Sequence, residues 1–143
     1  MLHRLHFDTP GEGLFECTAD VQRYVASTGV SEGLCTLFIQ HTSASLCIQE
    51  NADPSAKRDL EAWLARLVPP GDPLFTHTAE GPDDMPSHIR AALTSTSLSI
   101  PITNGRLALG TWQGIYIWEH RSRPHRRHLQ VHVLADEMAR DLG

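Results

Sequence analysis

The stretch His41-Thr42-Ser43-Ala44-Ser45-Leu46-Cys47-Ile48-Gln49-Glu50-Asn51-Ala52-Asp53-Pro54 decides the reading of this chain. A histidine, a Thr-Ser-Ala-Ser turn, the Glu50 carboxylate and the Asn51 amide lie between an apolar run and a helix start. The run before it, Leu34 to Ile39, is β-prone and buries at least one face. After it, Asp53 followed by Pro54 predicts a helix N-cap with proline at the first helical position. The polar cluster therefore falls where a strand ends, a hairpin turns and a helix begins, and such junctions commonly carry sites.

Working outward, Gly33 to His41 predicts a strand whose alternation places His41 on the side of Cys35, Leu37 and Ile39. The turn 42–45 leads to a partner strand, Leu46 to Asn51. Its hydroxyls and N–H groups suit an anion, and equally an ordinary hairpin capped by its own serines. Pro54 to Leu67 predicts a helix with a stripe of Ala56, Leu60, Trp63, Leu64 and Leu67, with Trp63 in the core; Pro69-Pro70-Gly71 ends it. Upstream, Leu2 to Phe7 and Phe15 to Thr18 predict strands. Ala19 to Thr28 predicts an amphipathic helix closed by Gly29.

Downstream, the segment 75–88 gathers His77, Glu80, Asp83, Asp84 and His88. Asp83 or Asp84 can cap the following helix, whose expected buried stripe is Ile89, Ala92 and Leu93. His88 falls in the first turn of that helix, a position suited to a metal-binding or proton-accepting imidazole. Leu98 to Ile102 predicts a strand, Asn104-Gly105 a tight hairpin turn, and Arg106 to Leu109 the return. Gly110 to Arg121 is a further β-prone stretch, and His128 to Val133 the last strand. Arg121, Arg123, Arg126 and Arg127 form a local basic patch that suits either a solvated loop or a phosphate-bearing substrate. Ala135 to Leu142 is a polar tail with some helical character.

The bulk properties narrow the function classes. A chain of 143 residues fits one domain with a real core. The net charge of -5 argues against general nucleic-acid binding. No apolar run approaches the ~20 residues of a bilayer span, and the N-terminus lacks a signal core, so a cytoplasmic protein is expected. The three cysteines form no CxxC pair, and Cys35 and Cys47 are expected to pack as small hydrophobes.

Among nine histidines, four stand at element ends beside carboxylates: His41, His77, His88 and His120. Three imidazoles plus water make an open zinc site. Thr42, Ser43, Thr111, Gln113 and Arg121 are candidate anion and hydrogen-bond contacts.

The motifs HTSASLCIQENADP, EGPDDMPSHIR and GTWQGIYIWEHR, in this order, resemble the YjbQ-like family, whose members are described as secondary thiamine-phosphate synthases. The resemblance runs from the first strand to Val133. It implies a β-rich α+β domain of two packed, mainly antiparallel sheets with flanking helices, assembled as a homotrimer. It also implies a cleft near the subunit boundary, with a divalent metal, zinc being the expected ion. The activity implied is the joining of a pyrimidine-methyl diphosphate to a thiazole phosphate. On that reading His41, Glu50, Asp84 and Glu119 are the expected catalytic groups. Thr42, Ser43, Asn51, Thr111, Gln113 and Arg121 would contact the phosphorylated substrate. His77, His88 and His120 would hold the metal, with His41 as an alternative ligand. A non-catalytic module binding a phosphorylated metabolite or a metal is the other reading.

Overall fold

The structure, a computed structural model, describes residues 1–137. Most of the expected polar tail, from residue 138 on, lies outside the described residues. Eleven elements follow in order: β1 (Leu2–Thr9), β2 (Gly13–Glu16), α1 (Thr18–Thr28), β3 (Gly33–Ile39), β4 (Ala44–Glu50), α2 (Pro54–Leu67), α3 (Asp84–Leu93), β5 (Ser97–Thr103), β6 (Arg106–Leu107), β7 (Gln113–Glu119) and β8 (His125–Ala135). They form two antiparallel sheets, β1-β8-β3-β5-β6 and β2-β7-β4, as an α+β domain.

The two sheets enclose one core. Cys35, Leu37, Ile39, Ile100, Ile102, Leu129, Val131 and Val133 come from the larger sheet, and Ala44, Leu46, Ile115 and Ile117 from the smaller. Helix α1 closes the side of this core with Val21 and Val25, both fully buried, and ends at Gly29 in the left-handed region (φ 73°) that glycine adopts freely. The opposite face of the smaller sheet carries Leu14, Tyr116 and Trp118 against Leu64 of α2. The layers are therefore the five-stranded sheet, the core, the three-stranded sheet and α2. Asn104 (φ 54°) and Gly105 (φ 76°) make the expected two-residue turn between β5 and β6.

Three local expectations are corrected. First, β3 and β4 do not pair as a hairpin: β3 lies between β8 and β5, while β4 lies beside β7. The polar turn carries the chain from one sheet to the other. That placement buries consecutive residues Ala44, Ser45 and Leu46, because both faces of β4 are covered. Second, α2 has the expected bounds, and the Asp53 side chain accepts from the Ser55 N–H at 2.9 Å. Its buried stripe is narrower than expected, since Trp63 is 53% and Leu67 52% exposed, leaving Leu64 as the buried anchor.

Third, α3 turns its polar side inward. Asp84, Pro86, Ser87, Arg90 and Ala91 are buried, whereas Ala92 and Leu93 are exposed and Ile89 only half-buried. This inversion is tolerated because the inward groups are hydrogen-bonded. Ser87 donates to the Asp84 carbonyl, and Arg90 donates to Glu12 and to the Val68 carbonyl. The far face of the five-stranded sheet leaves Leu2, Leu34, Phe38 and Leu134 exposed. No helix among the described residues is long and apolar enough to cross a membrane.

Candidate metal centre

The N-terminal turn of α3 brings Asp84 and His88 to one side of the helix, since residues four apart share a face. The loop before it returns His77 to the same point. Asp84 Oδ2 lies 2.7 Å from His77 Nε2 and 3.1 Å from His88 Nε2. The ligand atoms of the three residues all fall within 4.8 Å of one another.

The surroundings hold these groups in place. His88 Nδ1 donates to the Thr42 carbonyl at 2.9 Å, which leaves Nε2 as the atom facing Asp84. Second partners of this kind fix the ring and tautomer of a metal-binding histidine. The other Asp84 oxygen, Oδ1, accepts from Arg121 Nη1 at 2.7 Å. Burial alone would raise the Asp84 carboxyl, but the His77 hydrogen bond and the nearby charges of His88 and Arg121 hold it below its ordinary value. Asp83 is not the side-chain cap that the sequence suggests. Its Oδ2 accepts from Arg121 Nε, Ser122 N and Ser122 Oγ at 2.9, 2.9 and 3.1 Å. Against the opposing effect of burial, those bonds hold the Asp83 carboxyl down to about 2.

Two imidazole nitrogens and one carboxylate oxygen, converging at the protein surface, form a donor set that fits a divalent metal with positions left for water or a ligand. A cavity of about 410 Å³ opens beside it, lined by Gly71, Asp72, Phe75, His77, Thr78 and Met85 among others.

The expected ligand trio is therefore rearranged. Asp84, expected as a catalytic group, sits where the third ligand would be, and His120 does not join His77 and His88. His120 is 1% exposed, with Nε2 at 2.9 Å from Ser45 Oγ. Burial, then the Arg90 charge, pushes its imidazole down to about 3, so it stays neutral. The alternative ligand His41 also points elsewhere: its Nε2 accepts from the His128 backbone N–H at 2.8 Å. Burial and the Arg127 charge push His41 down to about 4.

Other candidates are occupied by the scaffold. Glu119, expected to be catalytic, is 1% exposed and accepts from Thr9 Oγ1, Arg127 and the Arg121 N–H. Its carboxylate is thus committed to hydrogen bonds within the fold. Ser43 offers its hydroxyl to Arg127 Nη2 at 2.9 Å, and Thr42 contributes its carbonyl to His88. Arg121 spends its guanidinium on Asp83, Asp84 and the Glu80 carbonyl, and Arg127 is buried, so the basic patch is reduced to its exposed arginines.

Glu50, Asn51, Thr111 and Gln113 lie elsewhere. In the β4–β7 register Ala44 faces Glu119 and Glu50 faces Gln113, six residues away. At ~3.3 Å per residue that separates the two ends by about 20 Å. Asn51 there donates to Glu16, and Gln113 accepts from the Gly110 N–H. Sequence reasoning did not single out Ser45, Arg90 or Ser122. The Asp84–His88 spacing of four on a helix was the available signal for the third ligand.

The profile described as UPF0047 protein YjbQ-like matches residues 3–136. The chain belongs to this family. The UPF0047 protein sll1880 of Synechocystis is 56% identical over 125 residues, covering 87% of this chain and 85% of that protein. The YjbQ protein of Escherichia coli O157:H7 is 49% identical over 92 residues, 64% of this chain and 66% of its own length. Among solved structures, the conserved hypothetical protein TT1486 of Thermus thermophilus is 35% identical, with a TM-score of 0.82, covering 92% of this chain and 99% of that one. TT1486 shares this fold, and none of the three names states an activity.

Proposed function

We propose that this YjbQ-like protein is a divalent-metal-assisted enzyme acting on a phosphorylated small molecule, with the formation of thiamine phosphate as the reaction to test first. The observation that carries the reading is the convergence of His77 Nε2 and His88 Nε2 on Asp84 Oδ2 beside an open cavity. A bound metal, with zinc as the expected ion, would supply Lewis-acid stabilisation of phosphate oxygens. The chain's own residues prepare that role. Arg121 holds the Asp84 carboxylate through its second oxygen, and the Thr42 carbonyl holds the His88 ring. Phe75 and Met85 give the neighbouring cavity an apolar wall.

The same reading includes a homotrimer in the cytoplasm. The exposed Leu2, Leu34, Phe38 and Leu134 on one sheet face support self-association. A partner copy is also the simplest way for Glu50, Asn51 and Gln113 to reach a site about 20 Å away along their own sheet. Three free cysteines are in keeping with a reducing compartment.

One observation favours the second reading, a non-catalytic metal or metabolite module. A diphosphate leaving group calls for free cations, yet Arg121 and Arg127 are both neutralised by carboxylates. Elemental analysis of untagged protein, beside His77→Ala, Asp84→Asn and His88→Ala, separates the cases. Near-stoichiometric metal lost in all three, with metal-dependent turnover of hydroxymethylpyrimidine diphosphate and thiazole phosphate, supports the enzyme. Metal binding without turnover of phosphorylated substrates supports the module, and metal retained in all three variants refutes the site.

A further inference from the structure

A second cavity, of about 350 Å³, lies between α2, α3 and the end of β7. It is lined by Glu12 before β2 and Gly13 at its start, by Arg58, Glu61, Ala62, Leu64 and Ala65 of α2, by Arg90 of α3, and by Trp118, Glu119 and His120. None of the three metal-centre residues borders it. Arg90 sits on a different side of α3 from Asp84 and His88, being six and two residues away.

The polar groups of this cavity are only partly used by the fold. Arg90 is 6% exposed; its Nη1 donates to Glu12 at 2.6 Å and its Nη2 to the Val68 carbonyl at 2.8 Å, while its buried Nε–H has no hydrogen-bond partner. An unpaired buried donor on a cavity wall costs free energy that an incoming acceptor recovers. Glu61 uses one oxygen, Oε2, to accept from the Leu14 N–H at 2.8 Å, and its other oxygen is unspent. Among the described residues, the Arg58 side chain has no hydrogen-bond or ion-pair partner. Glu119 is neutralised by Arg127, so the cavity's own charges are Arg58 and Arg90 against Glu12 and Glu61. Between them lie the apolar Leu64, Ala62 and Ala65 and the Trp118 indole.

His120 is held in the cavity wall: its Nε2 lies 2.9 Å from Ser45 Oγ, Thr94 Oγ1 donates to Ser45 Oγ at 2.6 Å, and Thr94 Oγ1 also lies 2.8 Å from the Arg90 carbonyl.

A surface balanced in this way favours neither a simple anion nor a simple cation. We propose that this cavity binds a zwitterionic small molecule of the amino-acid type, its carboxylate taken by Arg58 and Arg90, its ammonium by Glu61 and Glu12, and its apolar part by Trp118 and Leu64. The size falls within the ~300–1,000 Å³ of ordinary small-molecule sites. Binding requires the Glu12 carboxylate to shift its contact with Arg90, and Glu12 is exposed enough to do so.

The test uses the full chain labelled with ¹⁵N, following the Trp118 indole and Arg90 Nε–H cross-peaks, the former assigned with Trp118→Phe. L-phenylalanine is the probe; 3-phenylpropionate and phenethylamine each carry one of its two charges. Saturable shifts of both peaks with L-phenylalanine are expected, with each half-charged probe weaker by about tenfold or more, the scale of one charge-assisted contact. Arg58→Gln and Glu61→Gln should weaken the probe comparably, and Ala65→Trp should fill the mouth and abolish binding. No saturable shift, equal binding of either half-charged probe, or unchanged binding in the folded Arg58→Gln and Glu61→Gln variants overturns the proposal. If Ala65→Trp does not fold, the two glutamine variants decide alone.

Discussion

Replacing Glu119 by Gln should destabilise this protein severely, and the size follows from its surroundings. Glu119 and Arg127 are 1% and 3% exposed, and Arg127 Nε donates to Glu119 Oε1 at 2.6 Å. Removing the carboxylate charge leaves a guanidinium enclosed with only the oxygens of Ser43 for further compensation. Breaking one side of such a pair costs about 3–5 kcal/mol, a large share of a typical stability of about 5–15 kcal/mol. For a chain of this size the loss corresponds to a drop in Tm on the order of 10–15 °C. The assay is urea and thermal unfolding of wild type, Glu119→Gln and the double variant Glu119→Met/Arg127→Met. The double variant should recover part of the loss, because no unpaired charge remains. Despite the opposing effect of burial, the bonds from Arg127, Thr9 and the Arg121 N–H hold the Glu119 carboxyl below its ordinary value. Its stabilisation is therefore fully present above the unfolded value of 4.5 and is lost as pH falls through the lower folded value. A Glu119→Gln protein within about 1 kcal/mol of wild type at pH 7, or a double variant no more stable than the single, would refute the pairing as a structural element.

The other predictions are simpler. His120 should remain neutral from pH 8 to pH 5, visible as ring proton shifts that do not titrate. Its folded value of about 3 lies below the ordinary 6.5, so the stability it gives is present above 6.5 and declines as pH falls toward 3. Leu64→Ala should cost about 2–5 kcal/mol, whereas Trp63→Ala should stay within about 0.5 kcal/mol, both measured by urea unfolding. Gly33→Ala should be destabilising by about 1–3 kcal/mol, because its Cβ would run into the Leu134 carbonyl and the Ala135 Cα of the neighbouring strand. Wild-type unfolding curves for Gly33→Ala would show that the strands separate freely there.

What the sequence made legible was governed by local rules. The Asp53–Pro54 start of α2, the Gly29 end of α1 and the Asn104-Gly105 turn each depend on one or two residues, and all three are present. Hidden from the sequence were outcomes set by partners far along the chain. Trp63 fits a helical stripe, but the smaller sheet has three strands and offers α2 too narrow a surface to cover it. Periodicity assigned Ile89 and Leu93 to the core, whereas Asp84 and Arg90 won that side through hydrogen bonds to residues 12, 68, 77 and 121. Apart from His77, no windowed pattern contains those partners.

The same reasoning applies to polar residues read one strand at a time. Ser43, Glu119, His120 and Arg127 look chemical in sequence, yet they close hydrogen bonds where β4, β7 and β8 meet. Their value is mechanical. The Arg121 N–H donates to Glu119, and the Arg121 guanidinium then grips Asp83 and Asp84 at the start of α3. The interior ion pair is thus one residue removed from the carboxylate on which two histidines converge. A change that loosens Glu119 should therefore loosen Arg121, and with it the orientation of Asp84. In any Glu119 variant that still folds, metal affinity should fall without loss of a ligand, by the 10- to 100-fold that supporting partners typically contribute. Unchanged affinity in a folded variant would mean that Asp84 is held by the histidines alone.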